Sequence, residues 1–165
     1  MPETFRAVAV ARYDEKEDAV PIDVAVLPHD ERRVRRRLIT LVHGDGVLVD
    51  FPEPVTLKDR DCLRLENGRL VEILAAEEYL YEVTGRDPLH MAQIAWHLGN
   101  RHLKAQLELK DNRGPLRILI LRDHVIRDML QKLGATVREV VEPFFPEEGA
   151  YSHSHGEPAH ALLNR

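Results

Sequence analysis

A chain of 165 residues with 44% apolar residues and a net charge of −5 has material for one domain or two small ones, and for a packed core. The acidic balance argues against a general nucleic-acid binder, no run of eighteen apolar residues suggests a membrane span, and the opening MPETFRAVAV lacks the basic-then-apolar layout of a secretion signal, so a cytoplasmic location is expected. One cysteine, Cys62, permits no internal disulfide and reads as a small buried residue, whereas nine histidines suit a protein that handles a borderline metal through nitrogen.

Residues 1–75 read as an all-β domain of short strands: FRAVAVAR, PIDVAVL, RLITLV, GVLVDF, CLRLE and RLVEIL, separated by polar turns. The run RRVRRR, residues 32–37, reads as a charged approach to the strand that follows, since no aromatic residues are interleaved with its arginines to stack on bases. Two prolines in DFPEPVTLKDRD predict a surface connection rather than a strand. Asn67-Gly68 between two apolar runs predicts a tight hairpin over 62–74.

After AAEE the pattern changes to alternating strand and helix, which places a second domain at 76–146. YLYEV is a strand. DPLHMAQIAWHLGN is a helix with Asp87 as N-cap, Pro88 in the first turn and Gly99 as terminator; its Trp96, Ala92, Ala95 and Leu89 are expected in the core. LKAQLEL and LRILIL are strands around the turn DNRGP. Asp123 caps a second helix whose stripe Val125, Ile126, Met129, Leu130 and Leu133 ends at Gly134, and TVREVV closes the series. Strand, helix, strand, strand, helix, strand is the ferredoxin-like βαββαβ plan, so the fold class is α+β: a small N-terminal β domain, a ferredoxin-like domain and a tail. Phe144 and Phe145 anchor that tail, and residues 147–165 are expected to be flexible.

The histidines carry the chemistry. His90 and His97 lie on one helix face about 10 Å apart along the axis, too far to share an ion, and are expected to be solvated or hydrogen-bonded. His102 follows the glycine stop at the head of a strand, where alternation with Lys104, Gln106 and Glu108 puts it on the accessible face. A two-fold axis near it would pair two such imidazoles. His124 opens the second helix beside Asp128, where the helix dipole disfavours a positive charge and keeps the ring able to bind metal, though a surface histidine beside a carboxylate is the commoner case and makes it the weaker candidate. In the tail, His153 and His155 stand two residues apart with His160 close behind, and flexible imidazoles can complete a coordination shell or leave it.

The sequence contains no H-E-x-x-H, C-x-x-C, G-x-S-x-G or glycine-rich phosphate loop, so catalysis is not indicated. Two other classes stay open: an interaction module with incidental histidines, and a metal-dependent hydrolase using His102 and His124 with Asp123 or Asp128.

The segments DPLHMAQIAWHLGNRH, DHVIRDMLQKLGATV and FFPEEGAYSHSHG, with LVHGDGVLVDFPEPVTLKDRDCLRLENGRLVEI before them, occur in the order and spacing of the urease accessory protein E family, the UreE nickel metallochaperones, which this chain resembles. The resemblance implies a partner-binding N-terminal domain and a homodimer formed through the second domain. It implies that His102 meets its symmetry mate and holds one nickel ion, with His153 or His155, or His160 in their place, completing the shell. It also implies delivery to the urease activation complex by way of an accessory GTPase; the charge and hydropathy of the chain give no reason to expect a nucleic acid or membrane partner. Zinc and copper suit the same donors. Members of the family usually carry proline where this chain has Lys104. Some have a peripheral metal site with a histidine two residues before the position of His124; here that residue is Arg122, so the peripheral site is expected to be weak or absent.

Overall fold

The computed structural model describes residues 1–15 and 19–149. Its residues form two sheets, joined through the single residue Ala76 between strands β6 and β7. The first sheet contains β1 (Thr4–Ala11), β2 (Asp23–Leu27), β3 (Arg33–Thr40), β4 (Gly46–Thr56), β5 (Cys62–Leu65) and β6 (Leu70–Ala75), in the spatial order β2-β6-β5-β1-β4-β3. The pairs β1–β4 and β2–β6 are parallel and the rest antiparallel. Alternate side chains turn inward, so Val47, Val49, Leu63, Val71 and Ile73 share one core with Ala7, Ala25 and Ile39.

The 62–74 hairpin forms as expected, with only Gly68 in the left-handed region at φ +81°. Two other expectations are corrected. The arginine run is not an approach to a strand but lies within β3, where Val34 and Ile39 turn inward and Arg33, Arg35 and Arg36 face solvent from an edge position. Arg32, just before it, is buried. The proline stretch is likewise part of β4, which runs on to Thr56. It is tolerated because β1 leaves β4 after Val49 and β3 bulges between Val34 and Arg36, so Pro52 and Pro54 have no ladder bonds to lose.

The second sheet contains β7 (Glu77–Thr84), β8 (Ala105–Leu109), β9 (Leu116–Leu121) and β10 (Thr136–Pro143), in the order β10-β7-β9-β8 with every pair antiparallel. Helix α1 (Pro88–Asn100) lies between β7 and β8 in sequence, and α2 (His124–Lys132) between β9 and β10. Both start where capping chemistry predicts. Asp87 accepts from the His90 N–H at 2.8 Å, and Asp123 accepts from the Val125 and Ile126 N–H groups at 2.8 and 3.0 Å. Met91, Ile94 and Leu98 of α1 and Ile126 and Leu130 of α2 pack on Tyr81, Val83, Ile118 and Ile120 of the sheet.

Four apolar residues expected in the helix cores are instead exposed: Leu89 (70%), Trp96 (65%), Val125 (61%) and the small Ala92. Helical spacing groups Leu89 with Trp96 but turns both away from the stripe Met91-Ile94-Leu98 that meets the sheet. Among the described residues, no helix is long and apolar enough to cross a membrane.

Candidate metal-binding site

His102 stands in the turn that ends α1. The N–H groups of Arg101 and His102 donate to Leu98 and Gly99 carbonyls at 3.2 and 3.0 Å, and that of Leu103 donates back to Leu98 at 3.4 Å. These bonds close the helix around a residue at φ +55°, and that residue is His102. The expected terminator, Gly99, is inside the helix. Glycine is the usual occupant of such a left-handed position, and any other L-residue there costs about 1–2 kcal/mol. The side chain is exposed, as expected, and among the described residues no hydrogen bond engages its ring.

The route to that exposure differs from strand alternation, since β8 begins only at Ala105. Leu103 and Ala105 pack on the helix-side core, Gln106 is 7% exposed on the opposite face, and Leu107 and Leu109 stay half open because β8 is an edge strand. The helix cap, not the sheet, presents the imidazole.

The chain after β10 returns to this neighbourhood. Phe144, fully buried, packs with Leu80 of β7 and Leu119 of β9 on the face away from the helices. The Phe145 N–H donates to Gln106 Oε1 at 2.8 Å, and the Glu147 N–H donates to the Ala105 carbonyl at 2.8 Å. Residues 144–147 thus form a strap from the β10 edge of the sheet to the β8 edge, ending three residues from His102. Gln106 and Arg32, which hold this strap, were not singled out by the sequence. A glutamine in an alternating strand and an arginine in a charged run look like solvated residues until their long-range partners are known.

The remaining histidines are spoken for or isolated. His90, expected on a polar face, is 4% exposed; its Nδ1 accepts from the Arg86 N–H at 3.1 Å and its Nε2 donates to the Leu133 carbonyl at 2.8 Å. His97 shares a cleft of about 290 Å³ with His90, Gln93, Ile94 and Leu133, and its ring stands edge-on to Trp96. His29 bonds Glu78 and His43 bonds Asp23, at 2.7 and 2.8 Å. His124 is exposed at the start of α2. Two residues before it, Arg122 is held by Leu80 and Val140 carbonyls and lies over the Tyr79 ring at 5.1 Å.

Among the described residues, no three His, Cys, Asp or Glu side chains gather where they could hold a metal ion. His102 and His124 therefore form no such cluster with Asp123 or Asp128, and Asp123 is occupied as a cap. His153, His155 and His160 lie outside the described residues.

Beside the strap, Arg117 bonds Glu82, Glu108 and Glu142 together. Burial of Glu82 pushes its carboxyl up, but the Arg117 hydrogen bond and the charges of Lys110, Arg117 and Arg138 outweigh it and hold the group below its ordinary value.

The family model described as the UreE urease accessory protein N-terminal domain matches residues 6–76, and that of the C-terminal domain matches residues 78–163. The urease accessory protein UreE 1 of Brucella suis is 56% identical over 151 residues, covering 92% of this chain and 90% of that protein. The urease accessory protein UreE of Brucella anthropi is 56% identical over 153 residues, 92% of this chain and 86% of that protein. That of Mesorhizobium japonicum is 55% identical over 150 residues, 91% of this chain and 74% of that protein.

Proposed function

The chain belongs to the UreE family of urease accessory proteins, a family of maturation chaperones and not of enzymes, and from that premise we propose that it carries nickel to apo-urease in the cytoplasm. In this proposal residues 1–75 bind partners, a ferredoxin-like unit at 76–146 forms the homodimer, and the C-terminal segment 147–165, of which 150–165 lie outside the described residues, supplies further ligands. Two copies of His102 face each other across the two-fold axis and grip the ion, while His153 or His155, or His160 in their place, closes the shell.

The observation that carries the proposal is the placement of the strap. Glu147 is tied to Ala105, and the six residues on to His153 span at most about 20 Å when extended. The three residues back to His102 span about 10 Å, so the tail imidazoles have ample reach to the exposed ring. The dimer is supported by the uncovered apolar face of α1, where Leu89, Ala92 and Trp96 lie on the helix that His102 ends. Surfaces of that kind on a soluble helix ask for a partner, and a second copy would bring the two caps together.

Delivery limits how tightly the cargo is held. A site of 1 μM affinity is worth about 8 kcal/mol, and each further tenfold adds about 1.4 kcal/mol that transfer must overcome. Ligands drawn from separate parts of the chain can leave one at a time, which lowers that barrier. Imidazole donors favour copper over nickel intrinsically and also accept zinc, so choice of metal falls to availability and to the recipient, an activation complex containing an accessory GTPase.

Activation of apo-urease by the nickel-loaded protein, together with the GTPase and in the presence of a chelator that removes free nickel, tests the proposal. Activation above that of chelated nickel alone is expected. No gain over that control would overturn the carrier role.

A further inference from the structure

Among the arginines of the 32–37 run, Arg32 alone is buried, at 4% exposure. Its guanidinium donates to the Phe144 carbonyl and lies 4.7 Å from the centre of the Phe145 ring. Its Nε has no hydrogen-bond partner among the described residues. The preceding turn adds to the grip: the His29 ring meets Phe144 edge-on at 5.0 Å, and both the His29 N–H and its Nδ1 bond Glu78 of β7, at 2.9 and 2.7 Å. A guanidinium withdrawn from water without a full set of partners is costly, and a well-packed apolar side chain would fill the same space at less expense. What the apolar side chain could not do is fix a backbone carbonyl in the strap.

We propose that Arg32 is a positioning residue for metal capture. From the first sheet it clamps Phe144 and Phe145, so that the root of the histidine tail is held against β8, beside His102. The inference deepens the carrier proposal and rests on its assignment of tail histidines as ligands. It gives the N-terminal unit a part in the metal site, because anything that displaces the His29–Arg32 turn also frees the strap. Gln106 is the matching anchor on the other side, accepting from Phe145 and donating to Glu108 at 2.7 Å.

The test has a structural arm without metal. Spin labels on Lys104→Cys and Ser152→Cys, in dimers diluted with unlabelled chain, report the distance from the turn after α1 to the tail; Cys62, 0% exposed, takes no label. Arg32→Gln is expected to broaden that distance distribution at least about twofold, and Arg32→Lys, which can still donate to the carbonyl, to restore part of the order. An unchanged distribution in Arg32→Gln would overturn the proposal.

The second arm is nickel titration. Arg32→Gln is expected to weaken binding by about tenfold in the intact chain and to leave a chain ending at Gly149 unchanged. Equal losses in both chains would mean a general structural defect and would overturn the positioning role. If truncation alone leaves nickel affinity intact, the tail assignment fails, while the labels still decide whether Arg32 holds the strap. Should Arg32→Gln not fold, Phe145→Ala takes its place, since that ring is already 41% exposed.

Discussion

The Glu147 N–H donates to the Ala105 carbonyl at 2.8 Å, so the strap is anchored three residues from His102. Chain length from that anchor keeps His153 and His155 within about 30 Å of it, which raises their effective concentration at the exposed imidazole. A chain ending at Gly149 should therefore bind nickel at least about tenfold more weakly than the intact chain, with an unchanged melting temperature. Calorimetric titration of both chains, paired with thermal melts, checks this.

His102 pays for its position in backbone strain at φ +55°. His102→Gly should stabilise the fold by about 1 kcal/mol, because glycine adopts the left-handed cap freely. For a chain of this size that is a rise of about 2–4 °C in Tm. His102→Ala keeps the strain and should leave Tm nearly unchanged. A fall in Tm for His102→Gly would mean that the imidazole supports the fold, and its conformation would then need no functional explanation.

Trp96, 65% exposed on α1, should be a dimer anchor, since aromatic residues dominate the energetics of such contacts. Trp96→Glu is expected to weaken dimerisation by about thirtyfold or more, equivalent to about 2 kcal/mol. Monomers should keep their helical circular dichroism, because the side chain is not in the core of a single chain. Sedimentation equilibrium measures the change, and an unaltered dimer would remove α1 from the interface.

Glu82 sits at 4% exposure against Arg117, and its carboxyl lies below the ordinary value of 4.5. A folded pKa below the unfolded one means that the carboxylate's stabilisation is complete above about 4.5 and is lost as pH falls through the lower folded value. Glu82→Gln should cost about 1–3 kcal/mol at pH 7, less than a fully uncompensated buried charge, because Glu108 and Glu142 remain on Arg117. Urea unfolding of both chains at pH 7, 4.5 and 3 should show that difference full, then shrinking, then smallest. A difference that grew on acidification would contradict the sign.

Much of the architecture was legible in the chain because local chemistry decides it. Asp87 and Asp123 start helices by capping, Gly68 turns a hairpin, and Gly134 supplies the left-handed residue after α2 at φ +81°. Errors arose where a distant partner decides. Pro52 and Pro54 belong to a strand only because both neighbours of β4 have moved away there. Trp96 looks like core by composition, yet the helix phase set by Met91, Ile94 and Leu98 turns it out. His102 was recognisable as an accessible ring, but not as a helix cap in the left-handed region, where a glycine three residues earlier seemed the better terminator. Arg32 looks like its neighbours in sequence, and its contacts with Phe144, 112 residues away, and with the Phe145 ring set it apart.

Nickel titration of the intact protein alongside His102→Gly bears most directly on the account, since this substitution removes the imidazole while easing the backbone. The parent should take up one tightly held ion per two chains, and the variant should lose that event while melting higher. A variant that binds nickel with the parent's stoichiometry and affinity would show that the ion is held elsewhere.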